Sequence, residues 1–139
     1  MKYTPELITE LGENQVFVFG SNLAGKHNGG GAKVALEKFG AIYGKSIGIQ
    51  GQSYAIPTLG YSFERLPLEE IGLYIKDFIN YSESNPSKEF LVTKIGCGIA
   101  GYDLSKIAPF FSKINKNVLI PYEFDYFNTT RFKSEILLK

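Results

Sequence analysis

The sequence predicts an α/β domain in which a mostly parallel, mixed sheet is covered by helices on both faces. Three observations lead there. Short apolar runs of strand length alternate with segments whose apolar residues recur at helical spacing. The strand-like runs end in glycine or proline, which punctuate buried strands. The chain has 139 residues, the size of one domain able to bury a core without staples.

The elements follow in order. Thr4-Pro5-Glu6 has the form of a helix start, with Thr4 as cap and Pro5 in the first turn. Residues 15–19 are apolar and closed by Gly20, so they read as a buried strand. Ala32, Ala35, Leu36 and Phe39 share one helical face, and Gly40 stops that helix. Residues 53–57 form a second strand. Leu68, Ile71, Ile75, Phe78 and Ile79 form a helical stripe entered through Pro67, with Glu69 and Glu70 where the helix dipole favours acids. Residues 90–95 make a third strand. Ile107, Phe110, Phe111 and Ile114 predict a helix that Pro109 forces to begin near Ser105. Residues 117–120 make a fourth strand, ended by Pro121. The core therefore covers about 15–122 of a single domain spanning 1–139, and 123–139 form an aromatic, then basic tail of open conformation.

Composition narrows the function classes. The formal net charge is +1, which leaves no electrostatic footprint for bulk nucleic acid and no polybasic signal for a membrane surface. Cys97 is the single cysteine, so neither an intrachain disulfide nor a multi-thiolate metal site can form. Residues 1–11 are polar and acidic where a secretory signal needs an apolar run. The expected location is the cytoplasm, and no metal or cofactor is required.

In open sheets of this class, ligands sit beyond the carboxyl ends of the strands. Two loops occupy that position. The first runs from Gly20, Ser21 and Asn22 through Lys26, His27 and Asn28 to Gly29, Gly30 and Gly31. Three consecutive glycines let backbone N–H groups approach an anion, and the helix that follows adds its dipole. Asn22 can donate to and accept from a ribose hydroxyl or a water. A loop of this length in a small domain is usually functional rather than a simple turn. The second loop is Gly96-Cys97-Gly98-Ile99-Ala100-Gly101-Tyr102, again between a strand and a helix, and suited to wrapping a diphosphate.

Other residues carry two readings each. His27 is either a general acid or base beside the ligand or a solvated loop residue. Cys97 lacks a second histidine to activate it and reads as a small buried group. Tyr102 stacks on a ligand ring or packs on the next helix. Asp103 reads as a helix cap. Gln50, Gln52 and Ser53 line a pocket rim or satisfy loop backbone. Lys26 and Lys33 offset phosphate charge or remain solvated.

These residues carry a resemblance. Val16-Phe17-Val18-Phe19-Gly20-Ser21-Asn22-Leu23, followed by Gly29-Gly30-Gly31-Ala32, resembles the first half of a macrodomain. Ser53-Tyr54-Ala55-Ile56-Pro57-Thr58 resembles that family's middle strand. The segment from Val92 to Tyr102 is similar to its second phosphate loop, and Ile95-Gly96-Cys97-Gly98 looks most like the branch containing the terminal ADP-ribose glutamate hydrolases. The chain as a whole looks like the compact macro-like proteins of bacteria and phages. The resemblance implies a three-layer α/β/α sandwich with Asn22 at the distal ribose, Gly29, Gly30 and Gly31 beneath the ligand, and Gly98, Ile99, Ala100 and Gly101 around the diphosphate. The chain departs from the hydrolase branch where Ala100 replaces an aspartate, the nearest acid being Asp103. No lysine stands near residues 52–57 for the branch's nucleophile, and Glu13 is the nearest match to the acid that reads adenine.

The expected function is binding of ADP-ribose or a related nucleotide diphosphate. If the protein is an enzyme, it hydrolyses ADP-ribosyl linkages with Asn22 and His27 as the catalytic pair. The alternatives are a non-catalytic module that binds a nucleotide signal, and a phage or bacterial assembly protein that forms oligomers through the aromatic tail.

Overall fold

The structure, a computed structural model, describes residues 2–137 and the side chains of residues 2–130. Among the described residues, five strands form one mixed sheet and four helices pack with it. In chain order these are β1 (Gln15–Asn22), α1 (Gly30–Lys38), β2 (Gly48–Gln50), β3 (Ser53–Leu59), α2 (Leu68–Glu83), β4 (Glu89–Val92), α3 (Leu104–Ile107), β5 (Val118–Leu119) and α4 (Tyr122–Leu137). The spatial order is β2-β3-β1-β4-β5. β1 is central and parallel to both β3 and β4, while β2 is an antiparallel edge.

Alternation along the strands sorts two clusters. Val16 and Val18 of β1, with Tyr54 and Ile56 of β3, pack against Ile71, Ile75 and Phe78 of α2, Ile107 of α3 and Phe124 of α4. Phe17 and Phe19, with Ala55, pack against Ala32 and Ala35 of α1 and against Phe39. This is the period-two pattern of a strand, whose successive side chains point to opposite faces. Ala32, Ala35 and Ala55 are small on both sides of the contact, so α1 lies close to the sheet. That closeness brings the start of α1 up against the end of β1. Each large side chain buried here, Phe19 and Phe78 among them, contributes roughly 1.5–3 kcal/mol.

Several expectations need correction. No helix starts at Thr4. Residues 3–8 run as irregular chain, with Thr4 N donating to Ile120 O at 2.9 Å, and the nearby proline and acidic residues lack a following apolar helical face. β2 is an additional strand, too short for a periodic signal. β4 ends at Val92 rather than Ile95, because Ile95 N turns back to Thr93 O at 2.8 Å. The helix near Ser105 begins at Leu104 and tightens at Ala108–Phe111 into a 3₁₀ turn around Pro109. The tail after Tyr122 is helical. Phe124 is fully buried and stacks on Phe111 at 5.6 Å, so the core continues beyond residue 122. Phe132 and the basic end of the tail lie outside the described side chains. No helix among the described residues is long and apolar enough to cross a membrane.

Candidate functional site

β1, β3 and β4 run parallel, so their carboxyl ends open on the same side of the sheet. A cavity of about 560 Å³ lies there, within the usual size for a small-molecule site. Its wall combines Gly20, Ser21 and Asn22 from the end of β1, Lys26, Asn28, Gly29, Gly30, Gly31 and Ala32 from the first loop and α1, and Gly96, Gly98, Ile99 and Ala100 from the second loop. Thus the two glycine-rich loops, separate in sequence, meet at one site. They face each other closely. A methyl group built on Gly29 would lie 3.8 Å from Ile99 Cδ1.

The loops present backbone donors. α1 begins at Gly30 with no side-chain cap, so its first N–H groups have no partner within the helix. Gly30 has a φ of +56°, and a Cβ there would meet nothing within 4 Å. In the second loop, Gly101 N donates to Gly98 O at 3.0 Å and Tyr102 N to Gly96 O at 2.9 Å. These bonds curl the loop and leave the N–H groups of Gly98, Ile99 and Ala100 without an intramolecular partner among the described residues. Uncompensated backbone donors beside a cavity are where an anion gains most.

Asn22 sits at the cavity, yet its amide also holds the first loop. Oδ1 accepts from Lys26 N at 2.9 Å and Nδ2 donates to Lys26 O at 2.8 Å. One amide hydrogen and further acceptor capacity remain for a ligand. Ser21 lines the wall, but its hydroxyl donates to Ser46 O at 2.6 Å.

Several predicted residues do not line the cavity. His27 is fully buried away from it. Its Nε2 lies 3.0 Å from Lys45 O and 3.2 Å from Gln50 Oε1, and its ring meets Phe19 edge-on at 5.3 Å. Both readings of His27, as a base beside the ligand and as a solvated loop residue, are therefore corrected: the side chain is packed in the core. Gly101 and Tyr102 line a separate depression with Arg65, Asp103 and Lys106. The Tyr102 hydroxyl donates to Leu66 O at 2.6 Å, and the Arg65 guanidinium sits 4.1 Å from its ring centroid. Glu13 lies before β1, at the opposite end of the strand from the cavity. Gln50, Gln52 and Ser53 are spent on loop backbone, through bonds to Gly48 O and Lys45 O, to Gly12 O, and to Gln50 O respectively. Lys33 pairs with Glu37 at 3.9 Å on the surface of α1. Asp103 precedes α3 but makes no side-chain cap bond.

Thr58, at the end of the 48–58 segment read as a pocket rim, lines the wall with Ile95, and sequence reasoning missed Leu59, Phe63, Thr93 and Lys94, which complete it. Thr58, Leu59, Thr93 and Lys94 stand at or just after strand ends, so the rule that located the glycine loops also reaches them. Lys94 Nζ pairs with Glu123 at 2.7 Å and Glu6 at 3.5 Å. The hydrogen bond to Glu123 holds the Lys94 ammonium above its ordinary pKa, and the same bond holds the Glu123 carboxyl below the usual carboxylate range. Burial pushes the Cys97 thiol up to about 11, and its sulfur donates to Ile95 O, so it is no thiolate at neutral pH.

No Asp, Glu or His is among the residues that line the main cavity. Among the described residues, no group of three or more His, Cys, Asp or Glu side chains is placed to hold a metal ion. The wall is thus equipped to bind an anion through backbone dipoles and Lys26, Lys94 being paired with Glu123 and Glu6, with little equipment for proton transfer. A second, mostly apolar cavity of about 310 Å³ adjoins the first. Thr93 and Lys94 line both, and residues 4–8, Phe17, Val34 and Pro121 complete the second. No family model, curated protein or solved structure matches the chain.

Proposed function

We propose that the chain is a macrodomain-like, three-layer α/β/α protein that binds ADP-ribose or a closely related nucleotide diphosphate. The observation that carries this reading is the convergence of free backbone N–H groups from both glycine loops on one cavity. A diphosphate offers the matching density of acceptor oxygens. The α1 side and the α2 side of the sheet each have their own core cluster, which supports helices on both faces. The adjoining, mostly apolar cavity suits the base, and Asn22 on the main cavity wall suits the distal ribose.

The absence of an acid or histidine from the cavity wall favours a binding module over a hydrolase. If hydrolysis occurs, the backbone donors stabilise developing charge and Asn22 orients the ribose or a water.

Calorimetric titration with ADP-ribose tests the reading. The wild-type chain is expected to bind at micromolar concentration. Gly30→Glu places a carboxylate at the cavity and forces a left-handed backbone on a side chain, and is expected to abolish binding. Asn22→Ala is expected to weaken it. A folded wild-type protein that ignores millimolar ADP-ribose would refute the proposal.

A further inference from the structure

Phe63 has no role in the account above, yet its placement is unusual. Among the described non-glycine residues it alone has a positive φ, at +64°. Bulky L residues rarely adopt that conformation, and a turn needing only the geometry takes glycine or asparagine without strain. The turn is held on both sides. Phe63 N donates to Gly60 O at 3.1 Å, Gly60 N to Glu64 O at 2.8 Å, and Ser62 N to Glu64 Oε2 at 3.1 Å. The ring is not repaid by burial, since the residue is 47% exposed. It lines the main cavity instead. Strained residues of this kind cluster at ligand clamps. Lys26, itself on the cavity wall, places its ammonium 5.9 Å from the ring centroid.

The position of Phe63 along the sheet is informative. It follows β3, whereas the second cavity is lined by Thr93 and Lys94 after β4 together with Phe17 of β1 and Val34 of α1. β3 and β4 are two strand spacings apart, about 10 Å. A ligand whose diphosphate rests on the glycine loops therefore has one end toward the apolar cavity and the other toward Phe63. The mostly apolar cavity at one end and the half-exposed Phe63 ring at the other suit a ligand with a ring at each end.

Resting on the ADP-ribose-type reading, we propose that Phe63 is a specificity-determining stacking residue and that the ligand class is a small dinucleotide, with a neutral planar base on the distal ribose as well as the proximal one. The neutrality follows from Lys26, whose ammonium beside the ring disfavours a cationic heterocycle. The near-balanced charge of the chain favours a free dinucleotide over a nucleic-acid strand.

The test compares diadenosine diphosphate with ADP-ribose by calorimetry on the wild type, Phe63→Gly and Phe63→Tyr. Phe63→Gly removes the ring while suiting the left-handed backbone, so it keeps the fold; thermal melting verifies this. The wild type is expected to bind diadenosine diphosphate at least about 5-fold more tightly than ADP-ribose, the lower end of one base–aromatic stack. Phe63→Gly is expected to erase that preference by weakening diadenosine diphosphate by the larger factor, and Phe63→Tyr to keep it. Equal affinities in the wild type, or equal weakening of both ligands in Phe63→Gly, would overturn the inference while leaving the ADP-ribose reading intact. Binding of neither ligand would overturn both.

Discussion

Truncating His27 to alanine should damage the fold and leave the chemistry of the cavity alone. The imidazole is fully buried, with Nε2 facing Lys45 O at 3.0 Å and Gln50 Oε1 at 3.2 Å. Both are acceptors, because Gln50 Oε1 accepts from Ile42 N at 2.8 Å while Gln50 Nε2 donates to Lys45 O at 3.1 Å. Nε2 therefore carries the proton, and Nδ1 is buried without a partner. Loss of a buried ring against Phe19 destabilises by about 3 kcal/mol, slightly less than a phenylalanine truncation. Loss of the Nε2 hydrogen bond adds about 1 kcal/mol, and removal of the unpartnered Nδ1 returns a similar amount. The net is about 3 kcal/mol, against a total of about 5–15 kcal/mol for an ordinary domain. With a denaturant slope of about 2 kcal/mol per molar, the urea midpoint falls by about 1.5 M. Circular dichroism or tyrosine fluorescence follows the transition, since the chain has 9 tyrosines and no tryptophan. Ligand affinity per folded molecule should stay within a factor of about three, a change of under 1 kcal/mol. A midpoint shift below about 0.3 M, or a selective loss of turnover in a stably folded variant, would refute the structural role given to His27.

Gly25→Ala should unfold the first loop by well over 2 kcal/mol in urea titration, because φ is +69° and the new methyl would sit 2.7 Å from Gly44 O. Gly44→Ala, at φ +92° but facing open space, should lose only about 1 kcal/mol; equal losses would contradict the contact. Cys97, with its thiol near 11, should react slowly with iodoacetamide at pH 7.5 and faster as pH rises, with stability falling above the ordinary thiol value because the unfolded chain releases the proton more readily. Rapid labelling at pH 7.5 would contradict this. Lys94→Met should lower stability at pH 7 by at most about 1 kcal/mol, since the pair is partly exposed. The Glu123 carboxyl is held low, so its contribution exists above the ordinary carboxylate range and is lost as pH falls through the lowered value. The gap between wild type and variant should therefore close on acidification, and a gap that widens would contradict the ion pair.

The central strand and the two loops were legible because their signals are local. Residues 15–19 are continuously apolar, and the glycines of both loops announce close backbone approach. The long helix α2 was legible because Ile71, Ile75 and Phe78 repeat at helical spacing. Less local features were not. Whether His27 faces ligand or core depends on Gly25 meeting Gly44, a contact across 18 intervening positions that no periodicity encodes. β2 has three residues and gains its identity from pairing with β3. Tyr102 was drawn away by a carbonyl of Leu66, in a different loop. Phe63 carries no sequence mark, because its meaning lies in a backbone angle. Thr4-Pro5-Glu6 has the form of a helix start, but the bond from Thr4 N to Ile120 O ties this segment to the end of β5 instead.

The central claim is that the backbone amides of both loops hold a diphosphate. Amide chemical shifts of ¹⁵N-labelled protein, followed while ADP-ribose is added, test it most directly. The account predicts the largest changes at Gly30, Gly31, Gly98, Ile99 and Ala100, with smaller ones at Thr93 and Lys94, and with the Tyr102 amide little altered. Saturating shifts confined to another surface, or no shifts at millimolar ligand, would contradict it.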